Sequence, residues 1–331
     1  MMTVQVPMWS TASDGELQFY REMGIEAVSV MFREDDWDYD SVCRLQERLA
    51  RFDLRITDGG SFSVFKNPVI HLGLEGRDAQ IDRYNQFTTV MGRCGIPVCS
   101  LAWQPDGAVR SYKKVGKHTR GSVSGIVDME EIASRNPSHG RVFQEEEIWY
   151  NFKYFLDRTL PVCEKAGVKM ALHPNDPPAA CVMGVPSLIY NRQGFERAFE
   201  LAGDSPYLGM KLCVGCWLEA GEAFGNPMED IADFVSRGKV LAVHFRNLSG
   251  PMPYFEEVLL EDGYGDMYGI MKQLVRCGCD ALISVDHASH GVPEFGGMAG
   301  AYGYSTGYMK GMLMAAEREV AAEQKLAARN H

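Results

Sequence analysis

The 331-residue sequence lacks the features typical of membrane, secreted and nucleic-acid-binding proteins. No apolar run reaches the roughly 18 residues needed to span a bilayer. The first ten residues contain neither the basic nor the apolar segment of a secretion signal. Its 33 Lys and Arg are outnumbered by 44 Asp and Glu, which gives a formal net charge of −11. An acidic chain lacks the cationic face that binds phosphates, so we expect neither a membrane nor a nucleic-acid partner.

The nine cysteines do not resemble a disulfide framework, because their number is odd and their spacing is uneven. We therefore expect reduced thiols and a cytoplasmic protein. Two close pairs, Cys213/Cys216 and Cys277/Cys279, suggest two alternatives. A thioredoxin-like redox pair would need a different fold pattern. A four-cysteine zinc site would need C-x-x-C spacing in both pairs, and the second pair is C-x-C.

Short apolar runs alternate with helical patterns along the whole chain. The runs predict eight strands, at 3–9, 26–32, 53–57, 96–103, 168–173, 207–213, 240–245 and 281–286. Most are continuously apolar, as parallel strands covered on both faces are. Apolar spacing predicts helices over 145–166 and 266–277, the second capped by Asp266, and a last helix from near Gly307. The pattern predicts a single (β/α)8 barrel domain, a TIM barrel, over residues 1–331. A doubly wound sheet is the alternative, but it would have fewer strands and a glycine-rich first turn.

One long irregular stretch, 104–144, follows the fourth predicted strand. A loop of this length in a compact barrel is usually a lid or a binding element, so we expect a lid inserted in the barrel. Its segment 110–120 has five cationic residues and no acid: Arg110, Lys113, Lys114, Lys117 and Arg120. A solvated basic surface explains the same composition equally well.

The last four predicted strands each end near a residue that can bind a metal ion: His173, Cys213, His244 and Asp286. Alone, each has a structural explanation, as a hydrogen-bonded histidine, a small buried cysteine or a helix-capping aspartate. The carboxyl ends of barrel strands open onto one face, however, so the four side chains are expected to converge. Imidazole, thiolate and carboxylate suit Zn²⁺, Fe²⁺ or Mn²⁺ better than Mg²⁺. The four strand ends therefore predict a divalent metal site.

The motifs around these residues resemble those of mannonate dehydratases. The segment HPNDPP (173–178) resembles the family's His-Pro-Asp-Asp-Pro-Pro, LCVG (212–215) its Phe-Cys-Thr-Gly, and HFRN (244–247) its His-Leu-Arg-Asn. Further similar segments follow in the family's order: LEDGYGDMYGIMKQL (260–274), VDHASHG (285–291) and TGYMKGML (306–313). The resemblance runs from about 168 to 314, with a looser match at 120–132.

This resemblance implies a xylose-isomerase-like barrel that removes water from D-mannonate to give 2-keto-3-deoxy-D-gluconate. It implies Mn²⁺ as the cofactor, with Fe²⁺ or Zn²⁺ as alternatives, held by the same four residues that strand order selects. His287 matches the family's acid/base histidine, and Tyr302 or Tyr304 matches its assisting tyrosine. We also expect a sugar-acid substrate and a homo-oligomer.

The residues that would bind the substrate are less clearly marked. Arg246 is expected to bind a carboxylate or hydroxyl, with an ion pair as the alternative, and Asn247 and Asp176 belong to the same motifs. Where the family has an arginine near the metal-binding aspartate, this chain has Ser284. We therefore expect Lys113, Arg120 and the other cations of the basic segment to supply the charge that an acid sugar needs.

Three alternative functions use the same barrel. A metal-dependent isomerase or epimerase of a neutral sugar would share the metal site, and Ser284 favours it. A non-catalytic sugar-binding protein would not need the complete set of four ligands and His287. An endonuclease is disfavoured by the net charge of −11.

Overall fold

Strands and helices alternate along the part of the chain that the structure, a computed structural model, describes: residues 1–34, 36–287 and 290–329, without the side chain of Phe295. The strands are β1 Thr3–Trp9, β2 Ala27–Met31, β3 Arg55–Gly60, β4 Val98–Ala102, β5 Tyr112–Val115, β6 Val123–Asp128, β7 Lys169–His173, β8 Cys181–Val182, β9 Val185–Pro186, β10 Leu208–Cys213, β11 Val240–Phe245, β12 Asn247–Leu248, β13 Tyr254–Val258 and β14 Leu282–Val285. The helices are α1 Asp14–Glu22, α2 Tyr39–Ala50, α3 Phe62–Phe65, α4 Pro68–His71, α5 Arg77–Arg93, α6 Met129–Ala133, α7 Glu145–Ala166, α8 Arg192–Leu201, α9 Val214–Ala220, α10 Pro227–Ser236, α11 Met267–Arg276 and α12 Gly297–Arg329, with 3-10 turns at Gly221–Ala223 and Pro293–Phe295. None of the described helices is long and apolar enough to cross a membrane.

Eight parallel strands close into a barrel in the order β1-β14-β11-β10-β7-β4-β3-β2. The predicted (β/α)8 barrel is therefore confirmed. Most residues of the barrel strands are apolar because both faces of the barrel wall are covered: every residue of β4 and of β10 is buried. Helix α7 spans the predicted 145–166, starts with three glutamates in its first turn and ends at Gly167, whose φ of 67° suits glycine.

Strand β3 differs from its prediction, 53–57, because it runs on to Gly60. The segment Asp58-Gly59-Gly60 has the composition of a turn, but here it is buried barrel wall. Asp58 is paired with a buried lysine, and the glycines leave room for close neighbours. A Cβ at Gly59 would lie 2.8 Å from Met91 Sδ.

The last helix begins at Gly297, ten residues before its predicted start near Gly307. Three glycines in its first turns, at 297, 300 and 303, lower the helix propensity of the sequence. Packing explains one of them, because a Cβ at Gly303 would lie 2.7 Å from Phe19 Cζ.

The stretch 104–144 was predicted to be irregular. It instead contains strands β5 and β6 and helix α6. Strand β6 pairs antiparallel with β5 and with β13, and β13 pairs with β12, so that two loops of the barrel form one four-stranded sheet. The loop after β14 reaches this sheet through a bridge between Val123 and His290. This sheet lies beside the carboxyl ends of the barrel strands.

Candidate metal centre and active site

The four predicted metal-binding residues converge at the carboxyl end of the barrel. His173 and Cys213 are the last residues of β7 and β10, His244 lies opposite Cys213 in β11, and Asp286 directly follows β14. One ligand atom from each lies within 4.8 Å of the others. Parallel register explains the meeting, because neighbouring strands end at the same level of the barrel.

The two imidazole rings are oriented in a way that suits metal binding. His173 Nδ1 lies 2.7 Å from the carbonyl oxygen of Pro174, which can only accept, so Nδ1 carries the proton and Nε2 keeps its lone pair. His244 Nδ1 lies 3.5 Å from Asp286 Oδ1 and is buried without a hydrogen-bond partner among the described residues. The centroids of the two rings are 5.1 Å apart.

The thiol and the carboxyl group at this centre favour their charged forms. Burial alone raises the pKa of Cys213, but the hydrogen bond with Cys216 and the charge of Arg246 hold it well below its usual value. Burial also raises the pKa of Asp286, and the neighbouring His287, His244 and Arg246 more than offset this effect. Anionic sulfur and oxygen are the forms that bind a cation.

Arg246, predicted to bind substrate, contacts the candidate metal ligand Asp286 and is not among the described residues that line the cavity. Its side chain is only 2% exposed, which also excludes the alternative of a surface ion pair. The guanidinium lies 3.1 Å from Asp286 Oδ2, 3.0 Å from Asp176 Oδ2 and 2.6 Å from Glu219 Oε1. Its charge is therefore shared among three buried carboxyl groups.

His287 lies between the metal centre and the four-stranded sheet. Its Nδ1 lies 2.6 Å from Glu257 Oε1 and 3.0 Å from Arg110 Nη2, and its Nε2 lies 3.5 Å from Asp286 Oδ1. Burial lowers the pKa of His287, but Asp286 and Glu257 outweigh burial, so that the net shift is upward. The residue has a φ of 48°, in the left-handed region that favours glycine, which turns its ring away from the path of β14. Of the motif that follows, Ala288 and Ser289 lie outside the described residues.

A cavity of about 240 Å³ opens beside these residues. Its lining includes His173, His244, Asp286 and His287 together with Asp176, Lys66, Lys211 and Tyr302. Tyr302 is thus the tyrosine placed at the cavity. Tyr304 is half exposed, and its hydroxyl donates to Glu261 at 2.8 Å.

Comparison with known proteins assigns this site to a family. The sequence pattern of the family described as D-mannonate dehydratase (UxuA) matches residues 129–323, more than half of the chain. The chain belongs to the D-mannonate dehydratase family. The matched region includes all four candidate metal ligands and His287.

Members and structural neighbours of the D-mannonate dehydratase family cover most of the chain. A mannonate dehydratase from Thermotoga neapolitana is 28% identical over 288 residues, 76% of this chain and 78% of its own. The crystal structure of mannonate dehydratase from Streptococcus suis serotype 2 superposes with a TM-score of 0.85 at 24% identity, covering 96% of both chains. A xylose isomerase domain protein from Planctomyces limnophilus shares the fold, with a TM-score of 0.63 at 11% identity over 97% of this chain and 99% of its own. The predicted family and the xylose-isomerase-like barrel are confirmed.

Three other residues predicted to bind substrate are not among the residues that line the cavity of this D-mannonate dehydratase family member. Asn247 is buried, and its amide bonds the backbone of Leu260, Leu248 and Gly265. Arg120 is exposed and pairs with Glu261 and Asp262, away from the cavity. Lys113 lines a neighbouring depression that also includes Arg110, Glu257 and His287. The two cations are separated because Lys113 lies in β5, whereas Arg120 lies in the turn between β5 and β6.

Sequence analysis missed several charged residues near the cavity. Glu257 contacts His287, Lys66 lines the cavity, and Lys211 Nζ lies 2.7 Å from Asp58 Oδ2 inside the barrel. Arg110 was placed in the basic segment but not at His287. A charged residue inside the otherwise apolar predicted strand 207–213 was the available signal for Lys211, and no such signal marked Glu257. Lys66 carried no such signal.

Proposed function

We propose that this chain is a divalent-metal-dependent hydro-lyase that removes water from D-mannonate or a closely similar sugar acid. The observation that carries the proposal is the convergence of His173, Cys213, His244 and Asp286, with ligand atoms within 4.8 Å, beside a cavity that His287 also lines. Family membership favours this reaction over the isomerase or epimerase alternative.

The residues at the centre fit a divalent cation on chemical grounds. The set combines two imidazoles, a thiolate and a carboxylate, and His244 Nδ1 is a buried nitrogen that makes no hydrogen bond to any residue described. Such a set binds Mn²⁺, Fe²⁺ or Zn²⁺. Mn²⁺ is our proposed ion, from the resemblance to the family, and a homo-oligomer stays a prediction on the same basis.

The reaction takes a proton from C2 of the acid and expels the hydroxyl group of C3 with a second proton as water. The resulting enol then rearranges to the 2-keto-3-deoxy acid. A bound divalent cation would supply positive charge to stabilise the negative charge that develops on the substrate carboxylate. The protein must supply a base that takes the C2 proton and an acid that protonates the leaving hydroxyl group.

His287 and Tyr302 are the proposed proton-transfer residues. Burial raises the pKa of Glu257, but Arg110 and His287 hold it well below its ordinary value, so its carboxylate accepts a hydrogen bond from His287 Nδ1. In the neutral form of His287, Nε2 then carries the lone pair that takes the C2 proton. Tyr302 lines the same cavity and is our candidate to protonate the leaving hydroxyl.

Elemental analysis of purified variants tests the metal centre. We expect the wild-type protein to bind one divalent ion per chain, and Cys213→Ala and His244→Ala to lose most of it. Cys279→Ala is the matched control, because Cys279 is a buried cysteine that precedes β14, at the end of that strand opposite to Asp286, and this variant should keep the ion. Metal content unchanged in both ligand variants would contradict the proposal.

A further inference from the structure

The cations around the cavity differ in whether a carboxylate already neutralises them. Lys211 Nζ lies 2.7 Å from Asp58 Oδ2 and 2.9 Å from Ser100 Oγ. Arg110 pairs with Asp176 and Glu257, and Arg246 with Asp176, Glu219 and Asp286. Carboxyl groups of the protein therefore already pair with the positive charges of these three side chains.

Lys66 has no such partner. Across the described ranges 1–34, 36–287 and 290–329, its ammonium makes no ion pair and no hydrogen bond, although it lines the cavity with His173, His244 and Asp286. It follows α3, in the loop after β3, and therefore lies on the active-site face of the barrel. Burial lowers the pKa of Lys66, and the charges of Asp176 and Asp286 only partly offset this effect.

Aromatic side chains hold the Lys66 ammonium at the cavity wall. Nζ lies 5.3 Å from the ring centroid of Phe62 and 5.9 Å from that of Phe65. Both rings also line the cavity. These contacts orient the ammonium, but a ring face attracts a cation far more weakly than a carboxylate does.

An anionic substrate needs a cation at this wall. Asp176 and Asp286 line the cavity, and Ser284, in register with His244, contributes no charge. Asp176 and Asp286 are already paired with Arg110 and Arg246, and Lys211 with Asp58, so Lys66 is the unpaired cation, among the described residues lining the cavity, that can meet a substrate carboxylate.

We propose that Lys66 binds the carboxylate of the substrate and thereby selects sugar acids over neutral sugars. This inference rests on the proposed function, since it assumes a sugar acid in this cavity. Lys66 also replaces the basic segment 110–120 as the main source of the charge that an acid sugar requires.

Calorimetric titration of the metal-loaded protein with D-mannonate tests the role of Lys66, with His287→Ala present in every protein so that the substrate is not consumed during the titration. We expect Lys66→Met to weaken binding by about ten- to a hundredfold, the usual effect of losing one hydrogen bond between charged groups. Lys66→Arg keeps the charge and should retain most of the affinity. Lys153→Met, on the outer surface of α7, is the control and should bind as the wild type does. Metal content and melting temperature of each variant show whether the fold and the metal centre are intact.

Titration with D-mannitol, a neutral polyol of the same carbon skeleton, shows whether the effect depends on charge. The Lys66→Met substitution should leave its binding unchanged, so that the preference for the acid shrinks. Equal affinity of wild type and Lys66→Met for D-mannonate would overturn the inference, as would an equal loss in Lys66→Arg.

The wild-type protein distinguishes this inference from the proposed function. If wild-type protein converts D-mannonate and Lys66→Met binds it equally well, only the role of Lys66 fails. If metal-loaded wild-type protein neither binds nor dehydrates D-mannonate or any of a panel of hexonates, the proposed function fails and the inference with it.

Discussion

Three side chains at the candidate metal centre and beside it, those of His173, Asp286 and His287, each have a neighbour that fixes their charge or their orientation. The Pro174 carbonyl fixes the proton of His173, and Arg246 contacts Asp286. The Glu257 carboxylate orients His287 through a contact of 2.6 Å with its Nδ1. A proposed metal ligand and a proposed proton-transfer residue are therefore adjacent at positions 286 and 287, and substitution can separate their roles.

We predict that His287→Ala keeps its metal ion and loses about 10² to 10⁴ in kcat, the usual contribution of a general acid or base. The reason is that its Nδ1 contacts Glu257 and its ring lines the cavity. Elemental analysis and steady-state kinetics of the same preparation provide the measurement. Asp286→Ala is the comparison and should lose the ion. Equal loss of metal in both variants would place His287 in the coordination shell.

Sequence could predict the converging ligands because strand order alone brings them together. Four consecutive strands end in His173, Cys213, His244 and Asp286, and a parallel barrel aligns their ends. It could not predict the role of Arg110, Glu257 or Lys66. Their positions depend on the packing of loops against the barrel, which no local spacing records.

At the scale of elements, the sheet formed by β5, β6, β12 and β13 connects the loops to His287. Gly125 of β6 faces Glu257 of β13 so closely that a Cβ there would lie 2.4 Å from Glu257 Oε2. Glu257 in turn contacts His287 and Arg110. The absence of a side chain at position 125 thus allows the carboxylate to reach the histidine.

We predict that Gly125→Ala displaces the Glu257 carboxylate and lowers kcat by up to about a hundredfold, as misplacing a catalytic group by about 1 Å does. Metal content should stay at the wild-type level. Gly307→Ala in α12, where a Cβ meets no atom within 4 Å among the described residues, is the control for a glycine substitution. Its kcat should not change. A Gly125→Ala enzyme as active as wild type would show that the contact between β6 and β13 does not position His287.

Helix α4 contributes an acid-sensitive residue. His71 is 1% exposed, and its ring lies 4.3 Å from that of Trp103. Burial, with a smaller contribution from Lys66, lowers the pKa of His71 to about 3. This pKa is below that of a histidine in the unfolded chain, about 6.5. Between pH 6.5 and pH 3 the unfolded state therefore binds more protons than the folded state, and the free energy of unfolding falls as the pH falls.

We predict that His71→Phe removes this part of the pH dependence. Between pH 6.5 and 4, the free energy of unfolding of the wild type should fall by up to about 1.4 kcal/mol per pH unit more than that of the variant. Urea denaturation at a series of pH values measures the difference. The candidate metal-binding histidines contribute equally to the pH dependence of both proteins and therefore do not affect it. Parallel curves would contradict the buried neutral state of His71.

At the scale of the whole molecule, the barrel was predictable because eight apolar runs alternate with helical patterns. Two departures from this pattern have causes that lie far away in the sequence. Strand β3 continues through Asp58 because Lys211 from β10 neutralises it, a contact between residues 153 positions apart. The segment 104–144 folds into β5, β6 and α6 because β13, far along the chain, pairs with β6. In each case a long-range contact decides what the local composition does not.

Conversion of D-mannonate in D₂O, followed by NMR, tests the central claim most directly. We predict that wild-type protein loaded with Mn²⁺ forms 2-keto-3-deoxy-D-gluconate carrying deuterium at C3, since the enol takes up a solvent proton there. A chelator should stop the reaction, and Cys213→Ala should not form the product. Absence of this product from the metal-loaded protein, or its formation at an equal rate in the presence of chelator, would contradict the account of a metal-dependent sugar-acid dehydratase.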